Sequence, residues 1–256
     1  MIRTFLLLFL FGILLLSCAE KPLNVVSASF FEENISRCKT VSCPEITVNY
    51  ITVAGDKDSA SLINTEIQDF IISSLYIGDE EEPATASSIV DAATEFVETY
   101  RLENAEFPDM AAEYFIEVTV TESFNTADLL SLELRNYLYT GGAHGYGAVI
   151  FKNYDPQTGL ELRFQDVIKD EVAFYALAEH TFRKAHDIRS NEPINSTGFW
   201  FENEVFALPE TIGFTETNLI LHYNQYEIAS YAAGPIEVEI PLKEIQALLE
   251  IELVEQ

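Results

Sequence analysis

The sequence predicts an α+β fold: antiparallel sheets with helices packed on one face, arranged as two small, intimately packed subdomains. Three observations carry this expectation. Alternating apolar runs of strand length recur along the chain, as in "EYFIEVTV" and "LLSLELRNYLY". Three other stretches place apolar residues at helical spacing. Strands and helices do not alternate regularly, which sets the pattern apart from a wound parallel sheet. Apolar residues make up 48% and aromatics 12%, so the chain is globular and not disordered.

In chain order, residues 1–17 form a leader and do not belong to the fold. Arg3 supplies a positive start and "FLLLFLFGILLL" an apolar stretch of about a dozen residues, short for a membrane span. It ends in "LLLSC", which resembles a bacterial lipobox with Cys18 as the lipidated residue. Two or more acyl chains hold a protein stably on a membrane. The expected location is therefore the cell envelope, with the membrane contacted only through the lipid anchor. Ala19, not Asp, follows Cys18, which by resemblance to Gram-negative lipoproteins points to the outer membrane in such a cell.

Residues 18–43 read as the lipidated cysteine, a tether and a small loop. Cys38 and Cys43 remain after Cys18, and no Cys or His ligands stand nearby, so a structural disulfide is expected in place of a metal site. Residues 44–138 form the first region. "EITVNYITVAG" reads as a strand ended by Gly55. Ile63, Ile67, Ile71 and Leu75 recur every four residues, with Phe70 beside them, and predict a helix. Ser88 followed by Asp91 has capping-box spacing and opens a second helix, with Val90, Ala93, Val97 and Tyr100 as its buried stripe. A hairpin follows. Tyr114, Ile116, Val118 and Val120 share one face of its first strand, and Leu130, Leu132, Leu134 and Leu138 one face of its second.

Residues 139–256 form the second region. It opens on "YTGGAHGYG" and continues into a hairpin, "AVIFKNYD" and "LELRF" around "DPQTG", where Pro and Gly set the turn. A third helix carries Phe174, Ala178, Phe182 and Ala185 on one stripe. A polar loop to "GFWFEN", three short strands ("EVFAL", "LILHYN", "IEVEI") and a last short helix, "LKEIQALLEIEL", complete the chain.

Net charge is −28, which excludes nucleic acid as a partner, because phosphates require a basic surface. The same charge favours encounter with basic proteins, and it equally serves solubility. No Gly-x-Ser-x-Gly, His-Glu-x-x-His or Walker pattern occurs, so no catalytic residue, metal ligand or cofactor is assigned. His180 and His186 stand six apart and face different sides of a helix. With 42 carboxylates, any acidic pair is uninformative. "AGDKDSAS" lacks the calcium-loop spacing. "GGAHGYG" precedes a strand where a dinucleotide fingerprint would enter a helix. Gly141 and Gly142 therefore read as architecture at a strand seam, and His144 as a hydrogen-bonded structural residue. Candidate contact residues are aromatic: Trp200, Tyr223, Tyr226 and Tyr231, which suit either a core or a protein or sugar ligand. Phe199 and Phe201 read as core.

The succession "YTGGAHGYG…NYDPQTGLELRFQDVI", a helix, then "LILHYNQYEIASYAAGPIEVEIPLKEI" resembles the DUF3298 (RsiV-like) family. The region before it, with Ile63 and Asn64 in its first helix, is similar to the DUF4163 (PdaC-like) region that commonly precedes that family. The resemblance covers about residues 44–250. It implies an envelope setting. Members include lysozyme-binding extracytoplasmic domains of anti-sigma factors, non-catalytic regions of peptidoglycan deacetylases, and lipoproteins. Neither a spanning helix with a cytosolic anti-sigma region nor a separate deacetylase domain is evident here, so those activities are not implied. The expected function is an envelope-anchored, non-enzymatic binding or sensing module for a basic protein such as lysozyme, or for cell-wall glycan. The alternatives are a cell-wall hydrolase or deacetylase working through His144 and nearby carboxylates, and a purely structural envelope protein.

Overall fold

A computed structural model describes residues 21–55, 58–79, 83–108, 112–251 and 253. The leader and Cys18 lie outside the described residues. Five strands make one sheet in the order β1-β2-β3-β4-β5: β1 (Val25–Phe31), β2 (Glu45–Val53), β3 (Phe115–Asn125), β4 (Leu130–Tyr139) and β5 (Tyr146–Tyr154). Three more, β6 (Ile212–Phe214), β7 (Asn218–Tyr223) and β8 (Ile236–Pro241), make a second sheet in that order. The helices are α1 (Asp58–Leu75), α2 (Ile89–Glu106), α3 (Phe164–Val167), α4 (Glu171–Ala185) and α5 (Leu242–Ile245). The architecture is α+β, as expected.

One strand pair departs from the antiparallel expectation. β2 and β3 run parallel, with Ile46 opposite Ile116 and Val48 opposite Val118. The helical crossover α1–α2 carries the chain back to the starting end of β2, which is the geometry a parallel neighbour requires. All other pairs are antiparallel.

α1 buries Ile63, Ile67, Ile71 and Leu75 against Ile46, Val48, Ile116, Val118, Val120 and the leucines of β4. The Asn64 carboxamide locks this helix to the end of β2. It accepts from Val53 N–H at 2.7 Å and donates to Val53 C=O at 2.9 Å. α2 starts as expected, with Asp91 N–H donating to Ser88 Oγ at 3.1 Å. Its buried face is Ala92, Ala93, Phe96 and Val97, and Val90 is half exposed, so the expected stripe is rotated. The alanine pair presents little bulk where α2 meets the core.

Cys38 and Cys43 are joined as a disulfide. The tether expected before them is only partly a tether. Residues 25–31 form β1, paired along its whole length with β2 from Val25↔Val53 to Phe31↔Thr47. β1 is an edge strand that buries only Phe30, so its hydrophobic alternation is faint.

In the second half, α4 buries Phe174, Ala178 and Phe182 against β7 and β8; Ala185, at the helix end, is exposed. "EVFAL" is not a strand. Asn203 and Glu204 hold left-handed backbone (φ 53 and 56), Val205 is exposed, and Phe206 drops into the core as a plug. The strand comes later, at Ile212–Phe214. "LELRF" contributes only a bridge from Glu161 to Tyr154 before α3 begins. The last helix is broken into α5 and a 3-10 turn at Gln246–Leu248.

β5 lies beyond residue 139, so the large sheet takes strands from both expected regions. Its free edge is closed by groups from the second half. Asn224 accepts from Val149 N–H and donates to Val149 C=O, both at 2.8 Å. Thr211 Oγ1 accepts from Phe151 N–H at 3.0 Å, and Asn153 Nδ2 donates to Ile212 C=O at 2.8 Å. These bonds satisfy an otherwise orphaned sheet edge and tie β5 to residues 211–224.

Candidate binding surface at the strand seam

The glycine-rich segment forms the tight link between β4 and β5. Gly141 and Gly142 hold φ of 102° and 94°, a left-handed backbone that side chains with a Cβ resist. Gly145 and Gly147 serve close approach instead. A Cβ on either would sit 2.7 Å from Leu138 O or 2.8 Å from Asn136 O, and against the Tyr137 ring. These glycines are architectural, and their consequence is an aromatic surface.

His144 is exposed at this seam. Its Nδ1 lies 3.0 Å from Gly145 C=O, which makes Nδ1 the donor, and its ring stacks on Tyr231 with centroids 3.9 Å apart and planes inclined by 19°. Tyr231 OH donates to the same carbonyl at 3.2 Å. Tyr226 continues the stack, 5.6 Å from Tyr231, and is half exposed. Its backbone is left-handed (φ 69), an unfavourable conformation for a tyrosine. Trp200 borders the same 224–231 loop: its indole N–H donates to Glu227 C=O at 3.2 Å, and its ring is 46% exposed. Partial burial holds the Glu227 carboxyl above its ordinary range, although it accepts from Asn224 N–H.

Tyr223, grouped with these residues by sequence, belongs elsewhere. It is fully buried, its ring lies 5.8 Å from Phe182, and its hydroxyl donates to Ala207 C=O at 2.7 Å. Burial pushes its phenol far above the ordinary value. It is core. Phe201 is also core, and Phe199 packs at its margin.

Sequence reading missed the other end of the aromatic row. Phe115 stacks between Tyr137 and Tyr139, 5.6 Å from each, on the sheet face opposite the inward Tyr114 and Ile116. Tyr137 covers Gly145 and Gly147, and Gly145 C=O in turn accepts from Tyr231 OH. The available signal was three aromatics at outward strand positions, where polar residues are the rule. Beside Tyr137 a groove of about 300 Å³ is lined by Glu117, Arg135, His222, Asn224 and Gln225. His222 Nδ1 faces Glu237 Oε2 at 3.2 Å. Among the described residues, no group of three His, Cys, Asp or Glu side chains could hold a metal ion.

This arrangement defines an α+β domain with an aromatic seam, and comparison with known proteins places the fold. Residues 164–243 match the family described as DUF3298, a protein family of unknown function, and residues 38–146 match the family described as Deacetylase PdaC. The chain is similar in structure to a DUF3298 family member from Bacteroides fragilis NCTC 9343, with a TM-score of 0.67 and 19% identity, covering 91% of this chain and 96% of that one. It is also similar to a DUF3298 family protein from Pseudomonas aeruginosa PAO1, with a TM-score of 0.61 and 19% identity, covering 93% and 99%. At that identity the likeness speaks for the fold. No curated protein matches the chain.

Proposed function

We propose that this protein is a non-enzymatic binding module of the cell envelope, held to the membrane by a lipid on Cys18 and, in a Gram-negative cell, placed in the outer membrane. The observation that carries the reading is the group of neighbouring rings at the seam: exposed His144 stacked on Tyr231, and Tyr226, half exposed and held in left-handed backbone, inclined beside it. Exposed aromatics suit a protein partner or the faces of sugar rings. The net charge of −28 favours a basic protein of the lysozyme kind, drawn in by long-range attraction. Cell-wall glycan is the other ligand class.

The test is calorimetry of the chain from Ala19 onward against lysozyme at low and raised salt, and against chitin oligosaccharides. Binding that weakens with salt and is lost in Tyr226→Ala/Tyr231→Ala supports the protein ligand. No heat at low salt ends that version, and oligosaccharide heat alone assigns glycan.

The match of residues 38–146 to Deacetylase PdaC raises deacetylation as a second reading. The partners of His144 are a carbonyl and a ring, with no carboxylate to orient it as a base. Acetate release from N-acetylated cell-wall fragments that disappears in His144→Ala would replace the binding reading.

A further inference from the structure

The five-stranded sheet treats its two edges differently. Asn224 and Thr211 close the β5 edge, whereas no described strand or side chain takes the outward backbone groups of Val25, Ser27 and Ser29 on β1. We propose that β1 is a dimer interface, pairing antiparallel with β1 of a second copy of this chain about a two-fold axis at Ser27. This inference is independent of the aromatic seam, which lies across the sheet at β4 and β5.

The backbone fixes both the open groups and their register. Ala54 N–H donates to Asn24 C=O at 2.8 Å, and the pairing runs from Val25↔Val53 to Phe31↔Thr47. Alternate residues of an antiparallel pair bond to the neighbour. Asn24, Val26, Ala28 and Phe30 therefore face β2, and Val25, Ser27, Ser29 and Phe31 face outward. The ends of the outward row are already engaged. Asn125 holds both backbone groups of Leu23, at 3.2 and 2.8 Å, and Asn34 Oδ1 accepts from Phe31 N–H at 2.8 Å. With Ser27 on the axis, Val25 stands opposite Ser29 of the second copy, and all the free residues of both copies exchange hydrogen bonds. A slip of two residues either way brings in Leu23 or Phe31, whose groups are spent.

The side chains fit the same partner. Edge strands are commonly shielded by a charge, a proline or a bulge. β1 reads VVSASFF in unbroken register and has none of these, in a chain that is 22% charged. Ser27, Ala28 and Ser29 are small enough for two copies of the strand to close, and half-exposed Val26 comes beside Ala28 of the second copy. Charge lies outside the paired stretch and complements itself. The axis carries Lys21 toward the turn that holds Glu33 of the second copy, and neither residue has an ion-pair partner among the described residues. A charged peptide finds nothing to match along this uncharged stretch. A two-fold pair also joins the open edges to each other and leaves only the closed β5 edges outside. The net charge of −28 on each copy opposes association at a distance, so raised salt favours the dimer.

The test uses the chain from Ala19 onward, which keeps every described element. Sedimentation equilibrium should show a monomer–dimer equilibrium that raised salt strengthens several-fold. Amide exchange should slow in the dimer at Val25, Ser27 and Ser29 and stay unchanged at Val26 and Ala28. Ser27→Pro removes an N–H that faces away from β2, so it should weaken the dimer about tenfold or more while the monomer keeps its thermal melt. Lys21→Glu should weaken the dimer several-fold and Lys21→Glu/Glu33→Lys should restore it, with the strand itself untouched. A monomer at every concentration and salt overturns the proposal, as does a dimer indifferent to Ser27→Pro and to the charge swap. Edge amides equally protected in the dilute monomer would place another stretch of this chain there and overturn it too. Tyr226→Ala/Tyr231→Ala should dimerise as the parent does, so failure of the edge and failure of the seam are separately visible.

Discussion

The two halves of this molecule are stabilised in different ways. The first core is aliphatic and layered: isoleucines of α1 at every fourth position meet valines, isoleucines and leucines at alternate positions of β2, β3 and β4. The second core is aromatic and irregular. Phe182 sits among Phe199, Phe201, Phe206 and Tyr223 at 4.9 to 5.8 Å, and most of these rings arrive from loops. A periodic aliphatic core needs long elements. A few large rings can instead organise short strands and turns, because each buries a large area at once. The difference shows in the surface: the aromatic seam adjoins the loop-rich second half, where residues 224–231 supply Tyr226 and Tyr231.

The largest test of this contrast is truncation at its centre. Phe182→Ala should cost about 3–5 kcal/mol and Ile67→Ala about 2–5 kcal/mol in urea unfolding. A much smaller loss for Phe182→Ala would mean that the aromatic cluster is loosely packed, and the comparison would fail. Next is the joint between the halves. Asn224→Ala orphans both backbone groups of Val149 and should cost about 1–3 kcal/mol, with faster hydrogen exchange at the Val149 amide. Exchange that stays slow would show the β5 edge to be closed without Asn224. Removing the Cys38–Cys43 disulfide should cost about 2 kcal/mol and act on the first half, since both cysteines pack on its core.

Tyr226→Gly should move the other way. Relieving left-handed backbone at a tyrosine should raise stability by about 1 kcal/mol while removing ligand binding at the seam. Loss of both together would make Tyr226 a structural residue. The smallest effect concerns His186, wedged between Phe182 and Phe199, where burial lowers its pKa below the ordinary histidine value. The unfolded chain then takes up the proton first, so stability present above the ordinary histidine pKa falls as pH drops through it. Thermal melts at pH 7.5 and 5.5 should show that loss, reduced in His186→Phe.

The legibility of the chain follows the same division. Ile63, Ile67, Ile71 and Leu75, the two faces of β3 and β4, and the Ser88 cap could be read because their spacing alone expresses which side is buried. Val90 and Ala185 could not be placed, since one rotation of a helix face or one turn of end position decides them. At the candidate site, His144, Tyr226 and Tyr231 were legible as aromatics near special backbone, yet Tyr223, the buried last residue of β7, was not separable from them by spacing. Phe115, Tyr137 and Tyr139 were overlooked because they occupy the outward half of an alternation already explained by its inward half.

Composition and periodicity, then, were enough to establish a globular α+β chain of high negative charge, its aliphatic half, its cap, and the architectural role of the glycines. These depend on local spacing, and local spacing is written in the chain. The parallel pairing of β2 with β3, the edge strand β1, the closing of β5 by Asn224, and the meeting of residues 144, 226 and 231 depended on the assembled molecule. Each joins segments far apart in sequence through one or two hydrogen bonds or ring contacts, and such contacts leave no periodic trace.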